Sequence, residues 1–396
     1  MFIVKTDIWP VHTIGRIILK RPLWPVMMLS VVFMAHAELP AEPIPNVLKL
    51  QSPYPPGYAL VHDFAFGGLI DSKFGLVDTR TRHYKGMMSA GQFATINFSI
   101  ARQKYYIGET IHTRGVRGKR QDIIAIYDFE NLALVNEIDL PPKRMNAVIN
   151  EASVIITSDD KFLLVFNMNP ATSVTVIDLE QEAVVDEIPL PGCSLMYGDK
   201  ARGFFSLCGN GGLVHVRLDE SGHEAGRSSS EVFNDIDADP LSEKAAFVDG
   251  IWYLVTYKGE VQPIDVRGDQ PVIGERWWVS TAAEREANWR PAGWHGKAGN
   301  GEGGAARLWL GMTPDGYNGS HKDPAPEVWL FDLSKSSVVN RIKLKVPALS
   351  IDVNGANELL VVNIEGGLDI YAGLSGEYRH TIRALGDTPY MVHAVE

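Results

Sequence analysis

Few residues in this chain are of a type and spacing that could do chemistry. Cys193 and Cys208 are its only cysteines, and they bracket "CSLMYGDKARGFFSLC". The middle of that string, residues 198–203, reads as a turn. If its flanks pair as an antiparallel hairpin, Tyr197 faces Phe204 and Cys193 directly faces Cys208. Directly opposed residues lie within disulfide reach, and two cysteines alone cannot close a metal site. "GNGEGG", residues 299–304, fits the spacing of a dinucleotide-binding glycine loop. It opens a strand-like segment, however, and offers a pyrophosphate no helix N-terminus, so a flexible turn is the better reading. No G-x-S-x-G or H-E-x-x-H occurs, and the eleven histidines are scattered without metal-ligand spacing. His321-Lys322, before a strand and beside two prolines, reads as a contact pair on a loop or as a solvated turn. Phe93, in "SAGQFATINFS", reads first as a core aromatic.

"EREANWRPAGWH", residues 284–295, is the remaining candidate. Thr281 and Glu284 stand in capping-box spacing, and Pro291 must end whatever helix they start. The spacing therefore predicts a short helical insertion near 281–290, followed by Trp289, Arg290 and Trp294. Tryptophan and arginine are favoured interface anchors. Packing of both tryptophans onto their own sheets is an equal alternative.

The elements that must position these residues are strands. From Tyr58 onward an alternating apolar strand, often ending in Asp, recurs with a polar turn and a second strand, in seven copies. Asp78, Asp128 and Asp178 stand 50 residues apart, with Asp265 and Asp332 in later copies. An aspartate at a strand end accepts backbone N–H bonds in an Asx turn, a structural role for all five. The period, with several short strands in each, predicts an all-β, seven-bladed β-propeller over 58–396. No long amphipathic helix is seen, which disfavours a doubly wound α/β fold.

Residues 1–37 have a basic stretch, the apolar run Leu23 to Met34 and then Ala35-His36-Ala37. That is the pattern of a secretory signal peptide cleaved after Ala37, too short to span a bilayer. Residues 38–57, rich in proline, read as an extended N-terminal arm. Removing 1–37 takes away four basic residues and one acid, moving the net charge from −11 to −14. Such a chain will not hold nucleic acid by phosphate neutralisation. After cleavage no membrane span is expected.

Several of these strings resemble the heavy (large) subunit of the quinoprotein amine dehydrogenases, the methylamine and aromatic amine dehydrogenases. The matching residues are "AEREANWRPAGWH", "VNEIDLP", "LPGCSLMYGDKARGFFSLCGNGG", His321-Lys322, "VFN" at 232–234 and the C-terminal repeat. The resemblance runs from about Ala59 to the C-terminus. It implies a periplasmic α2β2 assembly with a small, disulfide-rich light subunit. The tryptophan tryptophylquinone cofactor belongs to that subunit, so no catalytic or metal residue and no cofactor is expected here. The implied reaction is oxidative deamination of a primary amine to aldehyde and ammonia, with electrons passed to a small copper protein or cytochrome. Phe93, two residues after Gly91, resembles the family's phenylalanine at the amine channel. The string around it, "GQFATINF", departs from the methylamine enzymes, which leaves aliphatic and aromatic amines both open. A stand-alone periplasmic propeller that binds a ligand or protein without a quinone partner is the alternative reading, and a metal-dependent propeller hydrolase or lactonase is a third.

Overall fold

Alternation of apolar residues along short strands, broken by Asp- and Gly-rich turns, leaves the chain little choice but sheets that bury both faces. The computed structural model describes residues 49–300 and 306–395, all within one unit, Val47–Glu396. The signal peptide and most of the arm fall outside the described residues. Strands such as Phe162–Asn167 and Glu358–Asn363 are buried at every position, because another sheet covers each face. Outer strands such as Glu224–Ser229 are mostly exposed.

The strands form six antiparallel sheets among the described residues. The first joins Tyr58–Asp63, Ser72–Asp78 and His83–Ala90 to the last strand, Pro389–Ala394. Four sheets follow in chain order, beginning with the strands Gln92–Ser99, Val154–Ile156, Cys193–Gly198 and Leu241–Val248. Side chains interleave between neighbours: Leu60 and Phe74 with Ile96 and Tyr105, then Tyr106 and Ile124 with Leu163 and Val165. The last sheet packs back on the first through Leu360, Val362, Val61 and Ala59. Each fully buried Leu, Val or Phe contributes about 1.5–3 kcal/mol, so the seams between sheets hold the propeller together.

The expectation of seven separate blades is corrected by the structure. It has five blades of four or five strands, and the chain from Arg290 to Ile382 forms one continuous eight-stranded sheet. The cause is the strand Ser337–Val353, 17 residues long. It pairs with Ala325–Asp332 along its first part and with Glu358–Asn363 along its last. Ile342 and Leu344 are buried on one side of the point where the repeats were expected to part and Ala348 and Ser350 on the other, and Ala348 pairs with both Ala325 and Asn363. The hydrogen-bond ladder therefore has no reason to stop there.

The strand-end aspartates make the predicted turns. Asp78 Oδ1 accepts from Arg80 N and Thr81 N at 3.0 and 3.2 Å, and Asp178 Oδ1 from Glu180 N and Gln181 N at 2.8 and 2.9 Å. Asp128, Asp265 and Asp332 accept in the same way. The insertion forms a short helix, Ala282–Glu286, with the capping box of Thr281 and Glu284 complete. Of the described residues, no helix is long and apolar enough to cross a membrane.

Candidate functional site

The strand Gln92–Ser99 lies at the inner edge of its sheet, and its pairing with Lys104–Arg114 slips between Gln92 and Thr95. Phe93 sits in that irregularity with φ +46°, a conformation that needs outside support in a bulky residue. The support is visible. Arg144, almost wholly buried, donates from Nη1 to the Phe93 carbonyl at 3.0 Å and from Nη2 to the Gln92 carbonyl at 2.9 Å. The buried Glu109 carboxylate accepts the Gly91 N–H. A Cβ at Gly91 would lie 2.6 Å from the Thr110 carbonyl oxygen, so only glycine fits there. Burial pushes the Glu109 carboxyl up to about 7, against the opposing pull of the Gly91 N–H and of Arg144.

Phe93 is half-buried and opens an arc of aromatic rings. Its ring centroid is 5.4 Å from Phe64, Phe64 is 5.9 Å from Tyr390, and Tyr390 is 5.9 Å from Trp294. These spacings suit tilted aromatic pairs. Phe66, 66% exposed, extends the arc from Phe64 at 5.5 Å. Trp294 has the Lys244 amino group 4.8 Å from its ring centre and that of Lys322 at 6.0 Å. His321 stacks on Tyr257 at 3.7 Å. Burial first, then Lys244, lowers the His321 pKa to about 4, so its ring is neutral near pH 7. Tyr317, in the loop that carries His321 and Lys322, is 58% exposed.

The structure thus brings Phe93, Trp294 and Lys322 onto one mouth, keeps Arg290 beside the loop that carries Lys322, and turns Trp289 toward the core between sheets. Trp289 packs 5.1 Å from the buried Trp329, and Arg290 Nη1 donates to Asn318 Oδ1 at 3.0 Å. The insertion helix is tied to the same sheet by Glu284 and Arg341, whose guanidinium also lies 4.0 Å over Trp329. Cys193 and Cys208 are directly opposed and bonded. The rest of that hairpin departs from the expected register. Pairing slips after Ser194, Leu195 takes φ +61°, and Tyr197 faces Phe205 rather than Phe204. Among the described residues, no group of three or more His, Cys, Asp or Glu side chains is placed to hold a metal ion.

The model of the methylamine dehydrogenase heavy chain family matches residues 59–396. The chain belongs to that family. It is similar to the methylamine dehydrogenase heavy chains of Methylophilus methylotrophus, 25% identical over 328 residues and 80% and 78% of the two chains, and of Paracoccus versutus, 25% over 350 residues and 87% and 80%. Against the Methylobacillus flagellatus heavy chain it is 26% identical over 220 residues, about half the length of each. Among solved structures it resembles a protein of unknown function from Desulfotomaculum acetoxidans, with TM-score 0.59, 9% identity and coverage of 85% and 98%. It also resembles a putative 6-phosphogluconolactonase from Bacteroides fragilis, with TM-score 0.56, 10% identity and coverage of 89% and 99%. At such identities the likeness is one of fold alone.

Sequence reasoning missed Phe64, Tyr390, Lys244, Glu109 and Arg144. Phe64 and Tyr390 lie 326 positions apart and meet because the first and last strands pair. The one local signal was Gly91 before Phe93; nothing near Arg144 announces that its side chain reaches another sheet.

Proposed function

We propose that this chain is the heavy subunit of a periplasmic amine dehydrogenase. It seats a cofactor-bearing light subunit on the aromatic mouth, and Phe93 borders the entry path of a primary amine. The observation that carries this is the arc Phe93–Phe64–Tyr390–Trp294, half-buried except for the buried Phe64, with the exposed Phe66 against it. Half-buried aromatic rings flanked by an exposed phenylalanine fit a partner better than they fit water. Family membership supplies the class of partner and of substrate.

Tryptophan tryptophylquinone is assigned to the light subunit, where it supplies the electrophile for oxidation of a primary amine to aldehyde and ammonia. This chain's described tryptophans do not fit that group. Among the described residues, Trp289 and Trp329 stand with ring centres 5.1 Å apart, but Trp329 is sealed in the core beneath Arg341. The heavy chain's part is to hold the partner, exclude water from the mouth and limit which amines pass Phe93. In this proposal the assembly is α2β2, the signal peptide is cleaved after Ala37, and electrons leave to a small copper protein or cytochrome.

The test is to purify the native protein from the periplasm and weigh every co-eluting chain, with and without a hydrazine reagent. A small companion that gains the reagent's mass is the expected result. A lone chain that gains none would overturn the proposal in favour of a propeller binding protein without a quinone partner.

A further inference from the structure

The segment 110–121 reads TIHTRGVRGKRQ, with Arg114, Arg117, Lys119 and Arg120 and no acid, in a chain whose net charge is −11. It lies where the strands Lys104–Arg114 and Arg117–Asp128 outrun their neighbours. Pairing with the inner strand begins only at Gln92 and Thr110, and pairing with the outer strand ends at Leu140 and Asp122. From Ile111 to Gln121 the hairpin is therefore a two-stranded ribbon, rising roughly 13 Å past its sheet at the step of an extended chain. Gly115, with φ +70°, supplies the left-handed residue that its two-residue turn requires.

Such a ribbon has no core of its own and is marginal by itself. Its charges weaken it further. Arg114 stands directly opposite Arg117, and like charges across a pair cost stability. Arg120 is satisfied by Asp122, which accepts from its Nε and Nη2 at 2.8 Å each. Arg114, Arg117 and Lys119 are exposed and meet no carboxylate among the described residues. The ribbon's foot is the mouth itself: Thr110 pairs with Gln92, the neighbour of Phe93, and Ile111 lies against Gly91. Near its tip, a Cβ on Gly115 would lie 3.6 Å from Ile70 Cδ1, in the loop that carries Phe66. Val116, Ile70 and Phe66 are all exposed. Arginines beside exposed apolar side chains have the composition of a protein interface, and cations without partners select an acidic one.

We propose that this ribbon is a docking arm for the light subunit, and that the face it meets carries carboxylates, paired with Arg114, Arg117 and Lys119 around an apolar contact with Val116. The inference rests on the light subunit proposed above and adds the charge of its face and the element that reads it. The arm rises from the same strand pair that fixes Phe93, so whatever seats on the mouth stands beside it. A polyanion such as nucleic acid is a poor occupant, because the rest of the chain is strongly acidic and repels it. Charges on such an arm speed encounter more than they hold the finished complex, and they offset the repulsion between Arg114 and Arg117 once the partner is in place.

The experiment treats the native complex with a water-soluble carbodiimide, which joins an amine to a carboxylate only where the two already touch. Expected is a peptide pair linking Lys119 to an aspartate or glutamate of the light subunit. In parallel, light subunit released from that complex is mixed with the wild-type heavy chain and with an Arg114→Glu/Arg117→Glu/Lys119→Glu variant. Association with the variant is expected to be at least about tenfold slower at low salt, with the gap closing at high salt. The cross-link and the slowed association together sustain the arm. A missing cross-link or equal rates overturns it while leaving the light subunit in place. If the variant does not fold, or the released subunits do not rejoin, the cross-link decides alone. A heavy chain that purifies with no companion overturns the arm and the amine dehydrogenase reading together. Phosphatidylglycerol vesicles that sediment the wild-type chain but not the variant, with light-subunit association unchanged, would assign the ribbon to a membrane surface and overturn the arm.

Discussion

Phe93 shows how much a single side chain can owe to groups distant in sequence. Its positive φ is held by two carbonyl contacts to Arg144 and by Glu109 on Gly91 one position before Gln92. A ring held on a fixed backbone and packed against Phe64 narrows the space beside it and so discriminates by size. Phe93→Ala in the assembled complex is therefore expected to raise kcat/KM for bulky amines relative to methylamine by roughly 10-fold, the scale of one lost apolar contact. An unchanged ratio across small and bulky amines would remove Phe93 from the path. Glu109 makes a second prediction, this one about stability. Its carboxyl titrates near 7 in the folded chain against an ordinary 4.5, so the native state holds the proton more tightly. Stability from this group is present below about pH 4.5, falls as pH rises, and levels above about pH 7. Glu109→Gln keeps an acceptor for the Gly91 N–H without the charge. Its stability advantage in urea unfolding should grow from near zero at about pH 5 to on the order of 1–3 kcal/mol at about pH 8. A pH-independent difference would mean that Glu109 is not the group that titrates.

Strands and turns were the legible part of the sequence, and the reason is local physics. An Asx turn needs only Asp and the two or three residues after it, so Asp78 and Asp178 announce their turns unaided. The capping box of Thr281 and Glu284 is equally self-contained. The opposed cysteines were readable from their spacing about one turn, although strict pairing outward from Tyr197 and Phe205 would set Cys193 against position 209 and only a slip returns it to Cys208. The slip after Ser194 was not, since a bulge depends on what the inner strand must face. Blade count failed for a similar reason. Whether Ser337–Val353 breaks in two or runs on is decided by the partners on either side, Ala325–Asp332 and Glu358–Asn363, and not by its own alternation. The candidate site was the least legible. Phe93 and Trp294 were singled out separately, and what joins them, Phe64 and Tyr390, becomes adjacent only when strands from the two ends of the described chain pair.

At the scale of the whole molecule, that pairing is what makes a row of sheets into a closed ring. Tyr58–Asp63 takes Pro389–Ala394 as its inner neighbour, so neither strand can fray without opening the first sheet. Asp63 locks the join. Its side chain is 2% exposed, with Oδ1 accepting from Ala65 N at 3.1 Å and Thr388 N at 2.7 Å, and Oδ2 from Asp387 N at 3.0 Å. Thr388 and Asp387 immediately precede the closing strand, and Phe64 and Tyr390 flank the same join. One carboxylate therefore governs both closure and the aromatic arc. Asp63→Ala removes three charge-assisted bonds, of which the Asp387 and Thr388 N–H groups can regain water, so the expected cost is about 2–4 kcal/mol. The location of the loss is the sharper test. Hydrogen exchange should accelerate in 58–63 and 389–394 well before the sheet that begins at Cys193, because local opening follows the weakest seam. Uniform acceleration across all sheets would mean that closure is shared around the ring and that Asp63 is one hydrogen-bonding group among many.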